Sequence, residues 1–289
     1  MNKGQRVGLH VSAAGGAENA PENAREMGGE VFQFFSRSPR GGAAPKISDE
    51  QAKLFRDRCE EYGMESYIHT PYYINFASKN PKIYKGSSAV VRDELERGSK
   101  LGVKYVMTHM GSAKDYVTDG EDLTKKSPEA IAQAIEGLKM IFEGAPKFTT
   151  KLLLEISAGA GAVLGDSFEE LAALLDGLGR DDVHICLDTC HMFASGYDLR
   201  TAEAVKATMK QFDKILGKDN LKLVHVNDSM TEFAAHKDRH EHIGKGHIGA
   251  AGFKAMLAHP DFKHVNYILE TKHDAGIKAD LEFLKKYCA

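Results

Sequence analysis

The chain has 289 residues, 42% of them hydrophobic and 27% charged, ordinary proportions for a soluble globular protein and a length that suits one large core, two modest ones or a single (β/α)₈ barrel. Basic residues number 38 and acidic residues 41, a formal charge of −3. That balance excludes a uniformly basic nucleic-acid coat, yet it leaves room for a local basic patch or for metal ions that reverse the sign of one site.

Strand-like and helix-like runs alternate from end to end. Arg6–Ser12 (RVGLHVS) and Val31–Ser36 (VFQFFS) read as the first two strands. A helix over Ser48–Tyr62 follows, opened by a capping box of Ser48 and Gln51. Ser66–Thr70 and Tyr105–His109 read as strands, and Ser127-Pro128 opens a second helix with proline in its first turn. Strands at Lys151–Ile156, Val183–Asp188, Leu221–Asn227 and Asn266–Thr271 are interleaved with helices at Ser167–Leu178, Thr201–Leu216 and Ile277–Tyr287. The strands are short and mostly apolar on both faces, as parallel strands covered on both sides must be. Eight such units predict a parallel α/β TIM barrel as one domain over residues 1–289, with its active site at the C-terminal face of the strands. The alternative is an open doubly wound sheet, but its GxGxxG turn is missing after the first strand, where the chain reads HVSAAGG.

The N-terminal MNKGQRVGLH has no apolar leader core, and no apolar run approaches the roughly 18 residues that span a bilayer. The four cysteines, Cys59, Cys186, Cys190 and Cys288, form no CxxC pair. These features predict a cytoplasmic protein with reduced thiols, associated with the nucleoid in a prokaryote, and with no membrane and no obligate protein partner. Cys190 reads as a small buried hydrophobe.

Polar residues collect at strand ends. His69, His109, Glu155 and Asp188 close the third to sixth strands, His191 lies just beyond, and His225 and Glu270 stand near the ends of the seventh and eighth. Asp238 and His240, two apart in the following loop, point the same way if that loop is extended. Any one of these residues has an ordinary structural use. Packing alone gives no reason to gather five histidines and four carboxylates at one end of a barrel, and burying the carboxylates without cations is costly. Imidazoles plus carboxylates suit zinc, or less selectively manganese or iron. Four carboxylates remain net negative with one divalent ion and neutral with two; only a third makes the pocket attractive to phosphate. His10 and Asn227 are candidates for supporting the ligands from behind.

With these motifs in place, the chain resembles endonuclease IV, the zinc-dependent apurinic/apyrimidinic endonuclease family. The match runs from GLHVSAAGG (Gly8–Gly16) to ILET (Ile268–Thr271); its most specific pieces are DTCHMFASGYDLRT (Asp188–Thr201), HVNDS (His225–Ser229) and KDRHEHIGKGHIG (Lys237–Gly249). The resemblance implies three zinc ions per chain, with manganese or iron acceptable at one position. It implies that His69, His109 and Glu155 hold the first, that Glu155 bridges to a second held also by Asp188, His225 and Glu270, and that His191, Asp238 and His240 hold the third. It implies Glu155 and Glu270 as catalytic residues, and hydrolysis by a zinc-activated hydroxide of the phosphodiester 5′ to an abasic site in duplex DNA. The products would be a 3′-hydroxyl and a 5′-deoxyribose phosphate, with cleaning of blocked 3′ ends alongside.

The same resemblance suggests DNA contacts at Arg37, Tyr72 and Tyr73, in loops that would fill the gap left by the missing base, and at Lys237, Arg239 and Lys245. Lys79, Lys82, Lys85 and Arg40 are further cationic candidates. Three departures stand out: SPRGGAAP after Arg37 is small where bulkier residues are common, the fifth strand ends EIS rather than ENT, and Met110 follows His109 where proline is more usual. The competing reading is a metal-dependent sugar isomerase or epimerase on a related barrel, which needs one or two metals; His191, Asp238 and His240 discriminate by supplying a third site.

Overall fold

Strands without a polar face must be covered on both sides, and the computed structural model, which describes residues 5–118 and 126–288, does so by closing them on themselves. The strands are β1 (Val7–Val11), β2 (Val31–Phe34), β3 (Glu65–His69), β4 (Tyr105–Thr108), β5 (Lys151–Glu155), β6 (Val183–Asp188), β7 (Leu221–His225) and β10 (Asn266–Leu269). They form a closed barrel in which every pairing is parallel, β10 returning to β1. An open doubly wound sheet is thereby excluded. A two-stranded antiparallel ribbon, β8 (Asp228–Ser229) with β9 (His240–Glu241), sits in the connection after β7. Among the described residues no helix is long and apolar enough to cross a membrane.

The helices are α1 (Ala20–Glu26), α2 (Asp49–Tyr62), α3 (Pro81–Leu101), α4 (Pro128–Phe142), α5 (Phe168–Leu178), α6 (Thr189–Ala194), α7 (Ala202–Leu216), α8 (Gly249–Ala258) and α9 (Gly276–Tyr287). The expected caps are where the chemistry puts them. Ser48 Oγ accepts from the Gln51 amide at 3.1 Å while Gln51 Oε1 accepts from the Ser48 amide at 3.0 Å, the reciprocal capping box. Ser127, Ser167 and Thr201 likewise accept from the amide three residues on. Helices α1, α3, α6 and α8 are additions to the expected elements. The longest, α3, has 21 residues and the same start signal of a cap followed by proline, Asn80-Pro81, and its buried face mixes Val91, Leu95 and Leu101 with Ser87, Ser88, Glu94 and Arg97.

Side chains on a strand alternate, so every second residue faces the barrel interior. One inward layer is Val31, Tyr67, Met107, Leu153, Cys186, Leu223 and Ile268, all buried together. Two residues further along each strand, at the C-terminal mouth, stand Gln33, His69, His109, Glu155, Asp188, His225 and Glu270. The ladder ends one residue before His109 and Glu270, shorter than expected, without changing the direction they face. On β1 the inward position below His10 is Gly8, where a Cβ would lie 1.7 Å from the Val31 carbonyl oxygen, so only glycine lets the strands approach. The larger core lies outside the strands, where Phe32, Phe34, Phe55, Phe168 and Phe212 pack under the helices.

Candidate metal centre

Glu155, fully buried, is the hub of the mouth. Its Oε2 lies 3.2 Å from His69 Nε2 and 3.7 Å from His109 Nε2. Its Oε1 lies 3.0 Å from His225 Nδ1 and 3.5 Å from His191 Nδ1. Glu270 Oε2 stands 3.3 Å from the same His225 Nδ1. His191 Nε2 and His240 Nε2 each approach an Asp238 carboxylate oxygen to 3.3 Å, and His240 Nε2 lies 3.7 Å from Asp188 Oδ2. Donor atoms within 4.8 Å of one another fall into three adjoining sets: His69, His109 and Glu155; Glu155, Asp188, His225 and Glu270; and His191, Asp238 and His240. Two other sets include Cys186 or Cys190. Burial pushes both thiols up to about 12, so both remain neutral, and Cys190 Sγ points at the Arg239 carbonyl at 3.5 Å.

The hydrogen bonds behind the ring determine which nitrogens face inward. A carbonyl can only accept, so His69 Nδ1 donates to Thr70 O at 2.6 Å and His191 Nδ1 to Ile156 O at 2.9 Å. His240 Nδ1 leans on Glu270 O at 3.4 Å. Each ring therefore presents the lone pair of Nε2 to the centre, where only carboxylate oxygens meet it. The Nε2 atoms of His191 and His240 are buried without any hydrogen-bond partner. Lone pairs converging on lone pairs are stable only with positive charge between them, a metal ion or, in its place, protons on the imidazoles. The nitrogen and oxygen donor set suits zinc, so these residues fit the metals their pattern implies.

The charges agree with the geometry. Burial pushes the Glu155 carboxyl up, but the imidazoles of His109, His225 and His191 hold it well below the usual carboxylate range. Glu270 is held low against burial by His225 and His10, and Asp238 by His191 and His240. Burial lowers His191 and His225, yet Asp188 and Asp238 lift the first, and Glu155 and Glu270 help lift the second, well above the ordinary imidazole value. For His109 burial prevails and the ring is lowered. The cluster thus draws in positive charge.

Local folding joins the second and third sets. Asp188 ends β6 and caps α6, its Oδ1 accepting the His191 amide at 2.9 Å, so strand end and first helical turn deliver one member of each together. Asn227 braces the floor, donating to Asp188 Oδ2 at 2.6 Å and accepting the Glu270 amide at 2.9 Å. Two contributors escape a reading of the sequence. Gln33 touches Glu270 and His225 from β2; its one signal is a lone polar residue in an otherwise apolar strand. Asp228, buried, accepts the amides of Gly244 (2.9 Å), Gly246 (3.0 Å) and Ile248 (2.9 Å), folding the segment that carries His240. Asp228→Ala strands those amides, and denaturant unfolding should show a loss on the order of 3 kcal/mol.

Of the expected DNA contacts, Tyr72 is 70% exposed and Tyr73 42%, unusually open for tyrosines, beside a cavity of about 370 Å³ that also touches His109, Ser157, His191 and Asp238. Lys237 and Arg239, which flank Asp238 in the chain, and Lys245 are all exposed. Lys82 and Lys85 are exposed on α3, and Lys79 lies 4.3 Å over the Tyr116 ring. Arg37, by contrast, is not an exposed side chain. Its guanidinium is folded under the rim, its side chain 7% exposed, and ion-paired with Glu94 and Asp93. Glu94 also accepts from Ser36 Oγ at 2.5 Å, and Arg97 donates to Ser36 Oγ at 2.7 Å and Pro45 O at 2.7 Å. A buried carboxylate on α3 requires that partner, and α3 is not among the helices that the sequence announces.

A family profile described as xylose isomerase-like TIM barrel matches residues 21–287. A curated protein named probable endonuclease 4 from Carboxydothermus hydrogenoformans is 38% identical over 97% of this chain and 95% of its own length. One from Haloarcula marismortui is 38% identical over 94% of each. The crystal structure of endonuclease IV from Thermus thermophilus superposes with a TM-score of 0.81 and 31% identity, covering 97% of this chain and 99% of that one. A D-tagatose 3-epimerase-like protein, at TM-score 0.73 and 20% identity over 98% of this chain and 97% of its own, shares the fold.

Proposed function

The chain belongs to the endonuclease 4 family of xylose isomerase-like TIM barrels, and on that premise we propose that it is a DNA-repair hydrolase that cleaves the phosphodiester 5′ to abasic sites in duplex DNA. It leaves a 3′-hydroxyl and a 5′-deoxyribose phosphate, and it also clears blocked 3′ ends. The supporting observation is the set of three adjoining groups of inward lone pairs at the barrel mouth. In this reading His69, His109 and Glu155 hold one zinc ion, Glu155, Asp188, His225 and Glu270 a second, and His191, Asp238 and His240 a third, with manganese or iron acceptable at one position. Bound there, such ions supply Lewis acidity that activates water and offsets the charge building on a phosphate in transfer.

The chain's own groups do the rest. Glu155, with an oxygen in each of the first two sets, and Glu270 hold the centre together. Four carboxylates at the mouth repel a phosphate until cations compensate them, so loading and substrate binding are linked. Tyr72 and Tyr73 offer exposed rings on which bases can stack at the gap, and a nucleotide without a base is extruded at lower cost than an intact one. Lys237, Arg239 and Lys245 meet backbone phosphates at the rim. A sugar epimerase would have no use for the set of His191, Asp238 and His240.

The test is a nicking assay on an end-labelled duplex with one abasic site. A single cut 5′ to the lesion, leaving an end that a polymerase extends directly, is expected; no cut with the zinc-loaded protein rejects the proposal. Affinity for that duplex should fall steeply with salt, the slope of log affinity on log salt being about −0.9 per phosphate neutralised. A flat response would argue against DNA as substrate.

A further inference from the structure

We propose that Gln33 is a positioning residue that sets the tautomer of His225 and thereby turns its Nδ1 toward the metal centre. The inference rests on the metal reading above and adds a residue to it. Gln33 is fully buried on β2, where its neighbours are all apolar. One end of its amide lies 2.5 Å from Glu270 Oε1 and 3.0 Å from His10 Nδ1, and the other 2.8 Å from His225 Nε2. A carboxylate oxygen can only accept, so the end facing Glu270 is the NH₂ group. The carbonyl end then faces His225, whose Nε2 must carry the proton. That leaves the lone pair on Nδ1, 3.0 Å from Glu155 Oε1 and 3.3 Å from Glu270 Oε2.

His225 is the exception among the oriented rings. His69, His191 and His240 are held through Nδ1 by backbone carbonyls and present Nε2. His225 is held through Nε2 by a side chain and presents Nδ1. A backbone carbonyl cannot be reversed by mutation, whereas the Gln33 amide can be replaced. The same amide ties Glu270, the neighbouring carboxylate, so one residue fixes two members of the set Glu155, Asp188, His225 and Glu270. Partners of this kind both fix ring orientation and raise ligand basicity.

The test compares the zinc-loaded wild-type protein with Gln33→Glu, which can only accept, and Gln33→Met, which fills the space without hydrogen bonding. Stepwise zinc removal by a competing chelator gives the affinity of each ion, and long-range proton–nitrogen correlation spectra report the His225 ring. We expect one ion to bind about 10–100-fold more weakly in Gln33→Met with the others retained and its slowly exchanging His225 Nε2 proton to be lost, whereas Gln33→Glu, whose carboxylate still accepts that proton, keeps it. Gln33→Met decides, and Gln33→Glu serves as the rescue of the acceptor. Wild-type affinities and an unchanged His225 signal in folded Gln33→Met, or loss of that signal in folded Gln33→Glu, overturn the inference while leaving the metal reading intact. A wild-type protein that takes up no zinc overturns the metal reading itself.

Discussion

Glu155→Gln should reduce nicking of an abasic duplex by at least about 10²–10³-fold, the scale lost when one preorganised electrostatic contact is removed from an active site. Both oxygens of Glu155 are in use: Oε2 faces His69 and His109, and Oε1 faces His225 and His191. An amide there carries no charge, and its NH₂ end points a donor into a space lined with inward lone pairs. Two metal sets lose their shared ligand together, so zinc content falls along with turnover. The barrel stays folded, because the β5 ladder uses only backbone groups and Gln matches Glu in shape. Nicking, elemental analysis and far-UV circular dichroism on one preparation check all three parts. Wild-type turnover in the variant would remove Glu155 from the mechanism.

Arg37→Ala should destabilise the protein rather than weaken its hold on DNA. If Arg37 read DNA, its loss would weaken binding and flatten the salt slope while sparing stability. Its guanidinium instead pairs with Glu94, which is fully buried, and with Asp93. Removing one partner of a buried pair leaves an uncompensated carboxylate, a cost of about 3–5 kcal/mol. Denaturant unfolding should show a loss of that order, and the salt dependence of DNA binding should match the wild type. Unaltered stability together with a shallower salt slope would return Arg37 to the DNA surface. Hydrogen bonds from Arg97 on α3 hold the small SPRGGAAP loop in place, tying Ser36, two residues before it, and Pro45, its last residue.

The closed barrel and the ring of candidate ligands at its mouth are legible in the sequence because both rest on local, periodic signals. Each ligand on a strand stands two residues beyond a packed interior residue, as Leu153 precedes Glu155 and Leu223 precedes His225, so a run of apolar residues ending in an acid or imidazole is enough. The capping box that opens α2 and the proline that opens α4 are visible for the same reason. The burial of Arg37 is not legible from sequence because its partner lies 57 residues away on a helix whose buried face is half polar. Gln33 and Asp228 pass unnoticed because their roles depend on partners in distant strands and loops, as in the 192-residue separation between Gln33 and His225. In these places tertiary hydrogen bonding, which leaves no periodicity, decides what a residue does.

The most direct measurement is the zinc content of the protein after saturation and exhaustive dialysis, by elemental analysis per mole of chain. Three ions per chain are predicted, one for each set of inward-facing donors, and their loss to a chelator should abolish nicking until zinc is returned. One or two ions at saturation, or none, would contradict the trinuclear centre.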